Sequence, residues 1–384
     1  LGLLVIAIFF NVLALGKMIR NRGPRRKVPK APQGPRYKPK NRGYDLPKRG
    51  RRSASNKIAI APISIGLVLA LSGCQMAEVP QNSPTPTESS TASIVDQIQP
   101  ALNEQQVARI LADIQSVVAE ADTSGEIAVL ETRVAGPALL FREANYLLRS
   151  KSPEILPLPA ISTSVVSITI ISKTEYWPRS FMVVTQDGDD LPQTLVIEQL
   201  SPRDPYKLIY NMALLPGVEF PDVAAAAEGA IPVDVDSQFL KVSPIVLAPT
   251  YGDLIDNGPS SEFFSLFDLS TDKFYEQISQ TQQDQTDSLE NATTQFSHAL
   301  GEFNVVSLTT SDSGAIVALM MVDTWEIKPT DRNSAVTVSG VEGSTRGVST
   351  RYGNMLLFYV PLASSDQKVR LLGATQSLLS IEVL

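Results

Sequence analysis

Sixteen of the chain's 33 lysines and arginines fall between Lys17 and Lys57, a stretch that holds one acid, Asp45. From Cys74 to Leu384 the balance reverses, with 17 basic against 39 acidic side chains, or −22. A cationic segment joined to a strongly anionic one does not make one globular unit. The basic residues are interleaved with Pro24, Pro29, Pro32, Pro35, Pro39 and Pro47 and almost nothing apolar, so residues 17–57 read as a disordered tether. Nucleic-acid binding needs a folded basic face, which this composition does not supply. Anionic lipid headgroups attract such a segment at roughly 1 kcal/mol per basic residue near the surface.

Two apolar segments flank the tether. Residues 1–16 (LGLLVIAIFFNVLALG) make a helix of about 24 Å, slightly short of a full membrane span. Residues 58–74 follow Lys57 and end at the chain's one cysteine, Cys74. A positive charge followed by an apolar run of this size is the pattern of a secretory signal. One thiol forms no internal disulfide framework and no cysteine-based zinc site. One imidazole, His298, leaves no histidine pair for a metal, and no cofactor is expected.

Leu71-Ser72-Gly73-Cys74 resembles the lipobox of bacterial lipoproteins, a branched apolar residue and two small residues before a cysteine. The resemblance implies that Cys74 is lipidated on sulfur and becomes the first residue after cleavage. Two acyl chains hold a protein to a bilayer where one gives only marginal binding. The Ser/Thr/Pro-rich linker at 75–95 fits this reading, since it lifts the acidic part off headgroups that would repel it. The other reading of Cys74 is a thiol inside a transmembrane helix. A lipoprotein signal normally opens a chain, and here 56 residues precede Lys57. Either the reading frame is set too far upstream or residues 1–16 are a real helix. The chain also opens on Leu1, as a fragment or a non-standard start codon would give. If the first segment spans, the positive-inside rule leaves the tether in the cytoplasm and Leu1 outside. Both versions leave the acidic bulk extracytoplasmic.

The acidic part reads as α+β, two tandem lobes at 96–245 and 246–384 that each run from helices into an antiparallel sheet. In the first, a helix start at 93–96 is followed by a loose capping box, Asn103 with Gln106. Val107, Ile110, Leu111, Ile114, Val117 and Val118 then recur at helical spacing. A second helix is expected over 126–135 and a third after Gly136-Pro137, with proline in its first turn. β-branched and aromatic runs at 165–172, 181–185, 194–199 and 206–215 predict strands, and Asp187-Gly188 a hairpin turn. In the second lobe, Ser270 or Thr271 is expected to cap a long helix with Asp272 in its first turn. Phe274, Ile278, Leu289 and Phe296 mark one face of that helix and put His298 near its end. Strands follow at 305–309, 315–325, 354–361 and 369–380. The order resembles NTF2-like or cystatin-like domains, whose concave sheet is often a pocket.

A second resemblance covers most of residues 74–384. Arg133-Val134-Ala135-Gly136-Pro137-Ala138-Leu139 with Arg142 and Tyr146 is similar to the core of an uncharacterised lipoprotein family of high-GC Gram-positive bacteria, a domain of unknown function. Ser243-Pro244 through Tyr251, Asp253 and Gly258, and the closing Val369-Arg370-Leu371-Leu372-Gly373-Ala374, fit the same family. These motifs are structural in character, so the resemblance implies a location and a fold and no catalytic residue.

Chemistry is sparse. His298 reads as a helix-end histidine stabilised by the dipole, with a catalytic base as the other reading. Arg133 and Arg142 are a candidate anion site for a substrate or lipid headgroup, or else are paired with helix neighbours such as Glu131 or Glu143. Tyr176, Trp177 and Trp325 read as core or sheet-edge aromatics, with a sugar-stacking platform as the other reading. Asp187, Asp189 and Asp190 crowd one turn, but a calcium loop needs more oxygen ligands in a set order. No P-loop, GxGxxG, GxSxG or HExxH motif occurs. The expectation is therefore a membrane-anchored extracytoplasmic module that binds or scaffolds an envelope protein or ligand, not nucleic acid. The alternatives are a cell-wall polymer hydrolase using Asp/Glu pairs, which deep-set carboxylates of raised pKa would favour, and a structural part of a membrane complex, which a large apolar patch would favour.

Overall fold

The computed structural model describes residues 98–151, 155–289, 291–331, 334–338 and 341–384. The apolar segments at 1–16 and 58–74, the tether at 17–57, the linker at 75–95 and the helix start at 93–96 lie outside them. No helix among the described residues is long and apolar enough to cross a membrane.

Helix α1 (Glu104–Ser124) begins where the sequence says it should. Asn103 Oδ1 accepts from Gln106 N at 3.0 Å, and Gln106 Oε1 accepts from Asn103 N at 2.9 Å, a complete capping box. Val107, Leu111, Ile114, Val118 and Ala121 form its buried stripe. Gly125, at φ 74°, ends it in the left-handed conformation. The second helix is shorter than expected: α2 covers Ile127–Leu130 and not 126–135. The reason is a competing backbone partner. Leu208 N donates to Arg133 O and Ala135 N to Leu208 O, both at 2.9 Å, so 133–135 run beside a strand instead of coiling. Helix α3 (Gly136–Lys151) follows, with Pro137 in its first turn as expected.

Four strands form the first antiparallel run: β1 (Val165–Ile171), β2 (Arg179–Thr185), β3 (Gln193–Gln199) and β4 (Lys207–Leu214). The second half opens with α4 (Pro244–Asn257), where Leu247, Ala248, Tyr251, Leu254 and Ile255 are buried along one side. Helix α5 (Lys273–Asp287) is capped by Asp272 itself, whose Oδ1 accepts from Tyr275 N at 2.9 Å, rather than by Ser270 or Thr271. It also stops earlier than the periodicity suggests. Residues expected in its last turns instead form β5 (Ala292–Leu300), where alternate residues Thr294, Phe296, His298 and Leu300 are less exposed, on the face that α4 and α5 cover. His298 is therefore a strand residue and not a helix-end residue. The remaining strands are β6 (Val306–Thr309), β7 (Ala315–Pro329), β8 (Val336–Val338), β9 (Val341–Ser344), β10 (Val348–Val360) and β11 (Arg370–Val383).

The α+β class holds, and the two helix-then-strand runs are fused into one sheet. Its order is β1-β2-β3-β4-β11-β10-β7-β5, with β6 pairing the other end of β7. Gly373 and Ala374 on β11 pair with Leu214 and Ala213 on β4 and join the halves. The sheet curls until its edges nearly meet. Residues 230–232 bridge the remaining gap: Ala230 N donates to Ile171 O at the end of β1, and Thr309 N donates to Ile231 O at the end of β6.

Curling gives the sheet an inside and an outside. Inside, Met182, Val196, Tyr210 and Met212 from the first half meet Ile316, Ala318, Met320, Met355, Leu357 and Tyr359 from the second. The concave side is thus filled with side chains. Outside, α1 covers Phe181, Val183, Leu195, Ile197 and Leu208, while α4 and α5 cover Val317, Leu319, Met321, Leu356 and Phe358. Strands β2 and β3 are buried on both faces, which is why they read as nearly unbroken apolar runs rather than alternating ones.

Candidate functional site

The densest polar cluster lies where α4 and α5 cross the far end of the sheet. Asp323 interrupts the apolar run of β7 and stands in register with His298 on β5 and Tyr352 on β10. His298 Nδ1 lies 2.6 Å from Asp323 Oδ1, and Nε2 lies 3.1 Å from Asp256 Oδ1 at the end of α4. The side-chain amide of Gln282, on α5, is 3.3 Å from Nε2. Helix α4 comes this close because position 252 is glycine: a Cβ there would sit 2.4 Å from His298 Cβ. The His298 and Asp323 side chains are 1% and 0% exposed, whereas Asp256 is 37% exposed.

Burial opposes a charge on the imidazole, but hydrogen bonds and charges from Asp256 and Asp323 outweigh it and raise its pKa to about 9. The ring is thus a cation at neutral pH, held between two carboxylates. Asp323 has a second oxygen, Oδ2, that is buried with no hydrogen-bond partner among the described residues. Burial first, and then the charge of Asp323, lift the Tyr352 hydroxyl to about 12. This arrangement is poorly suited to general-base chemistry. A base must be neutral to take a proton, and Nε2, the nitrogen that would work, is already occupied by Asp256. Its physical effect is to clamp α4 to β5 and β7, with Gln282 of α5 packed beside Nε2.

A second buried network holds α1 against α3. Arg142, 3% exposed, donates from Nη1 to both Asp122 oxygens at 2.5 and 2.7 Å and from Nη2 to Pro159 O at 3.1 Å. Tyr146 donates to Asp122 Oδ1 at 2.6 Å. Arg133 pairs with Asp113 at 2.9 Å. The partners are acids of α1, not Glu131 or Glu143. Asp113 and Asp122 are nine residues apart on that helix, about 13 Å along its axis, so the two guanidiniums are held at separate places.

The carboxyls pushed upward are elsewhere. Asp272 rises to about 6 because burial outweighs its bonds from Tyr275 N, Tyr251 Oη and Phe274 N. Glu198 is raised by burial against a bond from Asn304. One is at the start of α5 and the other on β3. A recess of about 440 Å³ opens between the start of α1, β1 and residues 223–226. It is lined by Val107, Ala108, Val165, Thr169, Val223 and small alanines, with Glu104 as its one carboxylate.

The hairpin aspartates behave as a solvated turn. Asp187 is held below the usual carboxylate range by hydrogen bonds from Ser164 and Ser162. No group of three or more His, Cys, Asp or Glu side chains is arranged to hold a metal ion among the described residues. Of the three aromatics, Trp325 is a core residue, edge-on to Phe296 and tilted against Tyr352. Tyr176 and Trp177 are on the surface. Cys74 lies outside the described residues. Sequence reasoning misses Asp256, Gln282 and Asp323, although a lone acid inside AIVALMMVDTW on β7 is a legible sign of a buried partner.

No curated protein and no solved structure matches the chain. One family model, described as Domain of unknown function (DUF8094), matches residues 98–381, from just before the first helix to near the end of the closing strand. That span takes in the clamp, the buried arginine and nearly all of the curled sheet, and the chain belongs to this family.

Proposed function

We propose that the chain is a membrane-anchored extracytoplasmic lipoprotein whose acidic body binds or scaffolds a partner at the cell envelope. The observation that carries this reading is the order of parts: a cationic tether, an apolar run ending in the one cysteine, a Ser/Thr/Pro linker, then a body with a side-chain balance of −20. A bilayer bearing anionic lipid attracts the first and repels the last. Lipid on Cys74 would hold the body at the outer face of the membrane.

Hydrolysis is not supported by the recess, whose lining mixes polar and apolar surface and carries one carboxylate, Glu104. The carboxyls of raised pKa, Asp272 and Glu198, are on separate elements and engaged with protein neighbours. Paired acid and base carboxyls must flank a bond across an open cleft. The test is mass spectrometry of the mature protein from native membranes. A diacylglyceryl thioether on an N-terminal Cys74, lost together with membrane retention in Cys74→Ala, is the expected result. An unmodified Cys74 inside an intact chain would end the lipoprotein reading.

A further inference from the structure

We infer that the body contacts the bilayer end-on, through an aromatic surface at the end where the chain enters it. The inference rests on the anchored reading above and adds the face that meets the lipid. Pro100 pairs with Lys173, and Ala101 N donates to Ser172 O at 2.9 Å, so the segment arriving from Cys74 reaches the body beside the β1–β2 loop. The β3–β4 loop is at the same end, since Arg179 pairs with Gln199 and Lys207 with Glu198. The turn after α2 joins them, with Lys207 Nζ donating to Glu131 O at 2.6 Å.

Here the surface is apolar where a soluble protein has little reason to be. Tyr176 is 77% exposed, Leu200 59% and Trp177 36%. The indole is fixed in place: its Nε1 donates to Gln199 Oε1 at 3.2 Å, and the Arg179 guanidinium lies over the ring at 4.1 Å. Pro178, Pro202 and Pro205 stiffen the two loops, so the aromatics are presented rather than folded back. Tyr and Trp favour the bilayer interface because one part of each ring system is apolar and the other seeks water.

The charge agrees. The two loops carry Lys173, Arg179, Arg203 and Lys207 against Glu175 and Asp204. The neighbouring turn adds Glu131 and Arg133, the latter paired with Asp113, and Glu228 lies beside Lys173, so the charges at this end roughly cancel on a body that is otherwise strongly acidic. Anionic headgroups repel such an end little. The linker permits the approach: the 24 residues from Cys74 to Ile98 span up to about 80 Å. By contrast, Phe239, also strongly exposed, has Asp234 and Asp236 beside it in its own loop.

The chain's two tryptophans are Trp177 and Trp325, and Trp325 is buried at 6% exposure. Trp177 is therefore a built-in probe. The full chain is reconstituted into phosphatidylcholine/phosphatidylglycerol vesicles, with or without bromine on the acyl chains near the headgroups. Expected is flotation with the vesicles and a drop in tryptophan emission of roughly a third to a half in brominated lipid. Trp177→Phe removes the drop, and Phe239→Ser leaves it unchanged. Flotation with equal emission in both lipids would overturn the inference and leave the anchor intact, since the body then stands clear of the bilayer. The inference is equally overturned if purified cell-wall glycan, but not brominated lipid, changes Trp177 emission, because the surface is then a sugar platform. Failure to float would remove the anchored reading and this inference with it.

Discussion

His298 on β5 and Asp323 on β7 face each other in register, and their side chains meet at 2.6 Å with neither exposed to solvent. An imidazolium in that position joins three elements at once: its own strand, the central strand β7 through Asp323, and α4 through Asp256. Its pKa is raised from 6.5 to about 9, so the stabilisation is fully present below about pH 6.5 and is lost as pH rises through about 9. At about 1.4 kcal/mol per pH unit across that window, the contribution is about 3 kcal/mol. Urea unfolding at pH 6 and pH 10 is expected to show a loss of this order. His298→Gln should flatten it, and a pH-independent midpoint in the unaltered chain would contradict the clamp. Asp323→Asn, which leaves the cation with Asp256 alone, is expected to lower stability by about 3 kcal/mol at pH 7.

Asp272 gives the opposite expectation. It caps α5 and accepts from Tyr251 Oη at 2.8 Å, but burial raises its carboxyl from 3.8 to about 6. The protonated form is therefore the one that folding favours. That advantage is present below about pH 3.8 and disappears as pH rises through about 6. At neutral pH the ionised group costs about 3 kcal/mol relative to a neutral one of the same shape. Asp272→Asn keeps an acceptor for Tyr275 N and removes the charge. It is expected to be at least as stable as the parent at pH 7 in chemical denaturation and to lose the pH dependence between about 4 and 6. Asp272→Ala, which removes the cap and strands the Tyr251 hydroxyl, is expected to lose about 2 kcal/mol. A destabilised Asn variant would mean that the ionised carboxylate is favourable where it stands.

The sequence carries some of this and not the rest, for physical reasons. Asn103 and Gln106 announce α1 because a capping box is local: donor and acceptor are three residues apart and need nothing else. Pro137 announces the start of α3 in the same way. The shortening of α2 is not legible, because it depends on Leu208, more than seventy residues later, offering its N–H and C=O to 133–135. The end of α5 is misread from the pattern because Leu289 and Phe296 fit a helical face as well as they fit a strand start. What decides is β7 offering nine partners to 292–300. The fused sheet is hidden in the same way, since Gly373 meeting Leu214 is a contact across 159 positions. The clamp can be sensed from Asp323 as a lone acid in an apolar strand. That His298 and Asp256 would reach it follows only from the register of β5 and from the space left by Gly252.

Arg142 and Arg133 look alike in sequence and differ in their surroundings, which makes them a test of the anion-site reading. Arg142 is buried at 3% exposure against an Asp122 that is 23% exposed, with Tyr146 on the same carboxylate. Removing one partner of a buried pair leaves the other charge without its counterion, and Arg142→Ala is expected to lose about 3–5 kcal/mol. Arg133 and Asp113 are 28% and 55% exposed, so Arg133→Ala is expected to change stability by less than about 1 kcal/mol. Changing Asp122 and Arg142 together to Leu and Met should recover much of the loss of Arg142→Ala, because it removes both charges and keeps the volume. If the two arginines serve only to join α1 to α3 and its neighbours, inorganic phosphate leaves the melting temperature of the full chain unchanged. A phosphate-dependent rise in the parent that disappears in Arg133→Ala would instead establish Arg133 as an anion ligand whose bond to Asp113 opens in use.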